Sequence, residues 1–241
     1  MRIGFYTLGC RANQYDSESI KETLRPNNHI VGVEDEADIY IINTCTVTNG
    51  ADRKSRKYLR RAAKTRKPVI ATGCYATTDP GDLWKIEGVS LVVPNSRKND
   101  FMKLVEGTIG GRRGIVHDKG NLALDKQLIG HDSRHTRAFL KIQDGCENFC
   151  SFCKVAFARG KPRSKSKEKI IDEAKNLTEN GFNEIVLTGI NLSQYTSNGN
   201  GLNAVIEELS LIPELKRIRL SSINPQGIDK NLVKVFKTSN K

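Results

Sequence analysis

The stretch that decides the fold is Asp38–Thr44, which reads DIYIINT and is followed directly by a cysteine. An unbroken apolar run of this length is typical of a strand buried on both faces of a parallel sheet. Shorter apolar stretches on either side, Ile3–Thr7 and Val69–Thr72, repeat the pattern, each with a cysteine close behind it. We therefore expect at least three parallel strands in the first half of the chain.

Helical stretches separate these strands, and the clearest of them is Ala51–Arg66. Its apolar residues Tyr58, Leu59, Ala62 and Ala63 form a narrow stripe with helical spacing. Strands that alternate with helices in this way predict a parallel sheet with helices on both faces. The further elements expected here are an N-cap at Asn49, helices over Ser17–Leu24 and Arg97–Val105, the latter ended by Gly107, and a strand over Leu91–Val93.

Glycine-rich, charged sequence over residues 108–136 predicts a linker between a first domain, 1–107, and a second domain, 137–241. The second domain repeats the alternation. Because it contains only three expected strands, we expect the chain to end part-way through a β/α barrel, as a truncated form. The expected strands are Phe139–Gln143, Glu184–Thr188 and Arg217–Leu220, and the expected helices are Ile170–Glu179, Leu202–Leu209 and Ile228–Lys237.

Composition narrows the class of protein. The 241 residues carry a formal net charge of +12, with 39 Lys and Arg against 27 Asp and Glu. Such an excess favours an anionic partner, above all nucleic acid, although a basic surface that binds nothing is the alternative. No apolar run approaches the length of a membrane span, and the N-terminus reads as a strand, not as a signal peptide. We expect a cytoplasmic protein without a membrane partner, whose six cysteines are reduced and serve metal binding or catalysis.

Cys146, Cys150 and Cys153 form a C-x3-C-x2-C motif just beyond an expected strand. Three thiolates without a nearby fourth suit a [4Fe–4S] cluster that keeps one iron open for another ligand. The alternatives are a Cys3His zinc site completed by His131 or His135, and buried thiols without a ligand.

The other three cysteines each follow an expected parallel strand. Cys10, Cys45 and Cys74 should therefore meet at the carboxyl edge of the sheet, where open α/β sheets bind ligands. Three converging thiolates again suggest a cluster with one open iron, against the alternative of cysteines that are simply buried.

Basic residues are concentrated in two runs that we expect to attract phosphates without reading base sequence. The alternative for each run is a solvated face. The first run lies on the helix around residues 51–66, and we expect it to bind RNA through Arg53, Arg56, Lys57, Arg60 and Lys64. The second follows the cysteine motif and comprises Lys161, Arg163, Lys165, Lys167 and Lys169.

The cysteine motifs, taken with their neighbours, resemble the radical S-adenosylmethionine methylthiotransferase family. The segments that carry the resemblance are FLKIQDG at 139–145 with the C-x3-C-x2-C motif, GCRANQYDSE at 9–18, NTCTVT at 43–48 and TGCY at 72–75. TLGC at 7–10, NQY at 13–15 and TVTNGADRKSR at 46–56 are most similar to the branch that acts on N6-threonylcarbamoyladenosine in tRNA. Lys154 and Lys165 depart from the family pattern.

The resemblance implies a fold, cofactors and a reaction. The fold is α/β, with an N-terminal flavodoxin-like parallel-sheet domain followed by an incomplete radical SAM (β/α) partial barrel. S-adenosylmethionine would bind the open iron at Cys146, Cys150 and Cys153, and a second [4Fe–4S] cluster at Cys10, Cys45 and Cys74 would carry the sulfur. The product would be a 2-methylthio group on N6-threonylcarbamoyladenosine at position 37. The chemistry is borne by the cofactors, so no side chain is expected to act as an acid–base catalyst.

Further contacts and partners are expected on the same basis. Cofactor contacts are assigned to Phe152, Gly189, Asn191, Arg163 and Ser221, and the alternative for Gly189, Asn191 and Ser221 is ordinary strand-to-helix turn chemistry. Arg159 and Arg163 are expected to meet a cofactor carboxylate or an RNA phosphate. The expected partners are tRNA, an electron donor of the flavodoxin or ferredoxin type, and a sulfur donor that the sequence does not identify. The alternative functions are a methylthiotransferase for a ribosomal-protein aspartate and a non-catalytic, zinc-dependent RNA-binding module.

Overall fold

The computed structural model of the chain describes residues 1–118, 123–129 and 136–241. The chain divides into two compact units. The first contains Met1–Ala123 and Phe149–Gly160, and the second contains Leu124–Asn148 and Lys161–Lys241. The first unit thus includes a segment that carries Cys150 and Cys153 of the C-x3-C-x2-C motif, which a division by sequence position alone does not anticipate. The boundaries at 107 and 137 stay predictions.

The first unit is built on a six-stranded parallel sheet with the order β2-β1-β3-β4-β5-β6. Its first five strands have the order of flavodoxin-like folds, so the predicted fold class is confirmed. The strands are β1 (Arg2–Thr7), β2 (His29–Gly32), β3 (Ile39–Thr44), β4 (Val69–Gly73), β5 (Leu91–Val93) and β6 (Gly114–Ile115).

Helices cover both faces of this sheet, because strands buried on both sides need apolar cover on both. One core contains Ile20, Leu24 and Phe101 of the helices that cover one face, and the other contains Leu59 and Leu83 from the opposite face. The helices are α1 (Arg11–Leu24), α2 (Asn49–Ala63), α3 (Cys74–Thr78), α4 (Pro80–Trp84), α5 (Phe101–Ile109) and α6 (Val155–Arg159), with 3-10 turns at Arg25–Asn27 and Asn95–Asp100.

Local details differ from the sequence-based expectations. Thr48, not Asn49, caps α2, because the Thr48 hydroxyl accepts a hydrogen bond of 3.1 Å from the Ala51 N–H. The expected helix over residues 97–105 is a 3-10 turn followed by α5, and Gly107 lies inside α5. The short strand β6 falls within the expected linker and extends the sheet at its edge.

The second unit contains a three-stranded parallel sheet with the order β11-β10-β7 and a small antiparallel pair, β8 and β9. The strands are β7 (Ala138–Lys141), β8 (Gln143–Asp144), β9 (Arg163–Ser164), β10 (Glu184–Thr188) and β11 (Arg217–Leu220). The helices are α7 (Lys167–Glu179), α8 (Leu202–Leu209) and α9 (Lys230–Thr238), with 3-10 turns at Leu124–Lys126, Leu192–Gln194 and Pro225–Gly227. These elements match the expected βα repeat, and β10, α8 and β11 have the predicted bounds.

Within the described ranges, every helix is too short or too polar to cross a membrane.

Candidate metal centre

Cys10, Cys45 and Cys74 lie beyond the carboxyl ends of three neighbouring strands of the first unit. Cys10 is the N-cap of α1, Cys45 follows β3 directly, and Cys74 is the first residue of α3. Because β1, β3 and β4 are parallel neighbours, all three cysteines share one edge of the sheet. This is the edge at which the sequence predicted a site.

Two glycines allow the turns that carry these cysteines to approach one another. Gly9 has φ +101°, and a Cβ there would lie 2.9 Å from the sulfur of Cys45. Gly73 has φ +100°, and a Cβ there would lie 2.3 Å from the carbonyl oxygen of Thr44. Both turns therefore need glycine, for the positive φ and for the contact.

The thiols of the trio influence one another. Burial raises the pKa of Cys45, and the charges of Cys74 and Cys10 raise it further, while the charge of Arg159 lowers it. A buried thiol with a raised pKa stays protonated, so a metal that binds here must displace protons.

Among the residues that the structure describes, no three His, Cys, Asp or Glu side chains are grouped to hold one metal ion. In a [4Fe–4S] cluster each cysteine would bind a different iron of the cube. The cluster at Cys10, Cys45 and Cys74 stays a prediction. The zinc alternative for the other set, Cys146, Cys150 and Cys153, requires His131 or His135, and both histidines fall outside the described residues.

Two buried hydroxyls close to the cysteines in sequence fit a cluster, because a hydroxyl can donate a hydrogen bond to its sulfurs. In the described part of the chain, the hydroxyls of Thr46 and Thr72 have no hydrogen-bond partner. Buried polar atoms without partners call for an additional group, and hydroxyl donors near iron–sulfur clusters contribute to their reduction potentials.

A buried polar network, which sequence reasoning missed, lies next to this edge. Asn13 donates to the carbonyl oxygens of Leu8 and Thr44 at 2.8 and 2.9 Å, and so links the turns that follow β1 and β3. Its own oxygen accepts a hydrogen bond of 2.6 Å from Arg159 and lies 3.7 Å from the sulfur of Cys74. The guanidinium of Arg159 is buried and pairs with Asp16 at 3.0 Å. Its expected contact with a cofactor carboxylate or an RNA phosphate stays a prediction.

The C-x3-C-x2-C motif spans the boundary between the two units. Cys146 belongs to the second unit, whereas Cys150 and Cys153 belong to the first. The Cys153 N–H donates to the Cys150 carbonyl at 2.9 Å, and Phe149 adopts φ +44°, a rare conformation that is often found at functional sites. The grouping of these three cysteines around one cluster stays a prediction.

Gln143 is a second residue that sequence reasoning did not assign to the site. Its side-chain oxygen accepts hydrogen bonds from the N–H groups of Ile190 and Asn191 at 3.0 and 2.9 Å. Its side-chain nitrogen donates to the Gly145 carbonyl at 2.7 Å. Gln143 thereby fixes the residue before Cys146 to the turn after β10, and a polar residue in a buried strand is the signal that points to it.

The five expected cofactor contacts are all described. Gly189 is packed so closely that a Cβ would lie 3.0 Å from the Gln143 oxygen, and the buried Asn191 side chain caps the following 3-10 turn. Arg163 pairs with Asp144 across β8 and β9, and Phe152 is 87% exposed. The buried hydroxyl of Ser221 has no partner among the described residues. Their contacts with a cofactor stay predictions.

The basic helix α2 presents most of its cations to solvent. Arg53, Lys57, Arg60 and Lys64 are exposed, but Arg56 is half-buried and donates a hydrogen bond of 2.6 Å to the Tyr75 hydroxyl. Arg56 is therefore not a fully solvated cation, and the RNA contacts expected of these five residues stay predictions. Beside the helix lies a groove of about 760 Å³, which is lined by Arg56, Arg60, Lys64, Arg66 and Lys85 and by the acids Asp82 and Glu87.

The second basic run is not a continuous cationic surface. Lys165 is completely buried, where it binds the carboxylate of Glu173 and the carbonyl oxygen of Gln127. Burial lowers the pKa of Lys165, and the charge of Glu173 opposes that shift. Lys167 pairs with Glu208. The run is thus partly structural, and the expectation that all of it attracts phosphates is wrong for Lys165.

Known families match both halves of the chain. Uncharacterized protein family UPF0004 matches residues 2–94, and the Radical SAM superfamily matches residues 140–240. The chain is 42% identical to the threonylcarbamoyladenosine tRNA methylthiotransferase MtaB of Aquifex aeolicus, with 100% of this chain and 60% of that protein covered. The chain belongs to the radical SAM methylthiotransferase family. The resemblance that the cysteine motifs carry is confirmed.

A second relative agrees with this assignment. The protein of the same name from Bacillus subtilis is 37% identical, with 99% of this chain and 55% of that protein covered. The chain thus spans little more than half the length of these two methylthiotransferases. Membership of the radical SAM superfamily implies S-adenosylmethionine and a [4Fe–4S] cluster as cofactors.

A solved structure shares the fold. It is the radical S-adenosylmethionine methyltransferase TsrM from Kitasatospora setae, determined with cobalamin and a [4Fe–4S] cluster bound. The TM-score is 0.68 at 14% sequence identity, with 99% of this chain and 59% of TsrM covered. This likeness supports the α/β fold of the chain.

Proposed function

We propose that this chain takes part in adding a 2-methylthio group to N6-threonylcarbamoyladenosine at position 37 of tRNA. The observation that carries the proposal is the meeting of Cys10, Cys45 and Cys74 at one sheet edge, in a chain that also has the C-x3-C-x2-C motif of the radical SAM half. The names of the two relatives support tRNA as substrate over a ribosomal-protein aspartate.

The reaction needs two cofactor sites, and the chain offers two sets of three thiols. Cys146, Cys150 and Cys153 would hold the [4Fe–4S] cluster that binds S-adenosylmethionine, and Cys10, Cys45 and Cys74 would hold a second one. The bound cofactors supply the radical chemistry that opens an aromatic C–H bond, which no acid or base at neutral pH can do. An electron donor of the flavodoxin or ferredoxin type would supply the electron.

The residues of this chain would bind and orient these groups. Gly9 and Gly73 allow the three cysteine turns to approach, and Gln143 holds the turn before Cys146 against the end of β10. Phe152, Arg163, Gly189, Asn191 and Ser221 remain the proposed contacts for S-adenosylmethionine. Exposed cations of α2 would bind tRNA phosphates, which requires no base reading.

The test is mass spectrometry of tRNA nucleosides from cells that lack the gene. We expect loss of the 2-methylthio derivative of N6-threonylcarbamoyladenosine, restored by the wild-type gene but not by Cys45→Ser. A matched control is Thr23→Ser, an exposed position on α1 away from the cysteines, which should restore the nucleoside. An unchanged nucleoside, together with loss of methylthiolation on a ribosomal protein, would establish the alternative substrate. Zinc without iron in the purified protein would establish the RNA-binding module.

A further inference from the structure

Two cations meet one carboxylate in the buried layer beside the Cys10, Cys45 and Cys74 edge. Lys98 Nζ lies 2.6 Å and Arg159 Nη2 lies 3.0 Å from the same oxygen of Asp16. The side chains of Lys98 and Asp16 are fully buried, and that of Arg159 is 1% exposed. Asp16 thus holds Lys98 and Arg159 together at one carboxylate oxygen.

The side chain of Asn13 links the guanidinium of Arg159 to Cys74. Asn13 accepts the 2.6 Å hydrogen bond from Arg159 with the same oxygen that lies 3.7 Å from the sulfur of Cys74. Asn95 makes a parallel link, since its nitrogen lies 3.7 Å from that sulfur and donates to the Ala158 carbonyl at 2.8 Å. Residues 158 and 159 are therefore linked to the third cysteine of the trio through Asn95 and Asn13.

A cation in this position acts strongly on a charged neighbour. The buried layer is shielded from solvent, so the charge is screened far less than at the surface. The reduction potential of an iron–sulfur cluster depends on nearby charge and on hydrogen bonding to its sulfurs. One added electron makes a cluster more negative, so a nearby cation favours the reduced form.

We infer that Arg159 is a positioning residue that raises the reduction potential of the cluster held by Cys10, Cys45 and Cys74. The inference rests on the proposed function, which supplies that cluster. Asp16 acts in the opposite sense, because its carboxylate weakens the field of the two cations. Since Arg159 lies six residues after Cys153, the segment that follows one cysteine motif sets the electrostatics of the other.

The test is a redox titration of the 241-residue chain carrying Cys146→Ala, Cys150→Ala and Cys153→Ala, with the remaining cluster reconstituted anaerobically. Dithionite supplies one electron per cluster, and electron paramagnetic resonance follows the reduced form. Arg159→Gln should lower the equilibrium constant for reduction at least tenfold, which for one electron is about 59 mV. Arg159→Lys should recover most of the loss, and Asp16→Asn should shift the constant upward.

Lys165→Met is the matched control, because it removes a buried, paired cation from the second unit. The reduction potential of the remaining cluster should be the same with Lys165→Met as in the parent, which is the chain carrying only the three cysteine changes. Shifts in the same direction for Arg159→Gln and Asp16→Asn, or no shift for either, would overturn the inference. If Arg159→Gln does not fold, as judged by circular dichroism, the other two variants provide the test. An upward shift for Asp16→Asn with a parent-like potential for Arg159→Lys supports the inference, and the absence of that upward shift overturns it. Failure of the parent to bind iron would overturn both the cluster and this inference, whereas bound iron with unmoved potentials overturns this inference alone.

Discussion

The guanidinium of Arg56 is held against Tyr75, with a hydrogen bond of 2.6 Å to the hydroxyl and 5.8 Å between its central carbon and the ring centroid. Tyr75 directly follows Cys74, so this contact ties the basic helix α2 to the turn of the third cysteine. Arg56 therefore differs from the exposed cations of the same helix, since part of its hydrogen-bonding capacity is already used within the protein.

The first prediction is that Tyr75→Phe destabilises the first unit. The change removes the acceptor of a half-buried charged donor, so the free energy of unfolding should fall by about 1–2 kcal/mol in urea denaturation. A double-mutant cycle with Arg56→Ala should give a coupling energy of at least about 0.5 kcal/mol. A coupling energy of zero would show that the contact adds nothing to stability.

The second prediction concerns the glycine before Cys74. Gly73→Ala should lower the free energy of unfolding by more than about 3 kcal/mol, because the new Cβ meets positive φ strain and the Thr44 carbonyl at once. Gly81→Ala is the matched control, since Gly81 lies in α4 with nothing within 4 Å of the new Cβ. It should stabilise by about 0.5–1 kcal/mol, as is usual for alanine in a helix. Equal effects of the two changes on thermal or urea unfolding would contradict the role given to Gly73.

Much of the fold is readable from local pattern, because buried strands and amphipathic helices carry it in consecutive residues. Val69–Gly73 and Glu184–Thr188 each contain three consecutive apolar residues; the first was predicted as Val69–Thr72 and the second with its observed bounds. His29–Gly32 was missed, since its four residues are bounded by polar sequence and only its pairing with β1 makes it a strand. Gly114–Ile115 was also missed, because two residues are too few to show a periodic pattern. They form a strand through their pairing with β5.

The candidate metal centre likewise has one part that local sequence predicts and another part that it does not. The positions of Cys45 and Cys74 after strands are local facts, and the parallel sheet then brings them to one edge. The network behind them is not local, because Lys98 and Arg159 reach Asp16 across 82 and 143 residues of sequence. From the sequence, Arg159 was expected to meet a cofactor carboxylate or an RNA phosphate, and nothing distinguishes Lys98 from the rest of its expected helix. What buries them is the packing of distant segments, for which a single sequence has no signal.

The third prediction concerns the buried pair Lys165 and Glu173. Lys165→Met leaves a carboxylate buried without its cation, so the free energy of unfolding should fall by about 3–5 kcal/mol. Lys165→Met/Glu173→Gln removes both charges and keeps an oxygen to accept the hydrogen bond from the Ile129 N–H. This double variant should recover most of the loss in denaturant titrations. A double variant less stable than Lys165→Met would show that the pair is not the source of the stability.

The fourth prediction is that each set of three cysteines binds its own iron. After anaerobic reconstitution, Cys10→Ala/Cys45→Ala/Cys74→Ala should hold about half of the iron of the wild type, and Cys146→Ala/Cys150→Ala/Cys153→Ala likewise. Iron and acid-labile sulfide analysis measures this directly. Iron content that either triple change leaves untouched would make that set of cysteines structural.

The fifth prediction is that the exposed cations of α2 contact RNA phosphates. Arg60→Glu/Lys64→Glu should weaken the binding of unmodified tRNA and should flatten the dependence of log K on log salt. Each phosphate that the protein no longer neutralises reduces the slope by about 0.7–0.9, so the expected change for two phosphates is about 1.5. Arg56 is left intact, because its contact with Tyr75 would mix a change in stability with a change in binding. Fluorescence anisotropy with labelled tRNA at several salt concentrations measures both quantities.

The matched control for this prediction is Lys103→Glu/Arg112→Glu. Both residues are exposed, and Lys103 lies on α5, which packs on the opposite face of the sheet from α2. The two double variants lower the net charge equally, so a general effect of charge would alter affinity and slope to the same extent in both. A local phosphate site on α2 predicts that the slope changes for Arg60→Glu/Lys64→Glu and much less for the control. Equal slopes would instead mean that α2 is a solvated face and that tRNA binds elsewhere on the protein.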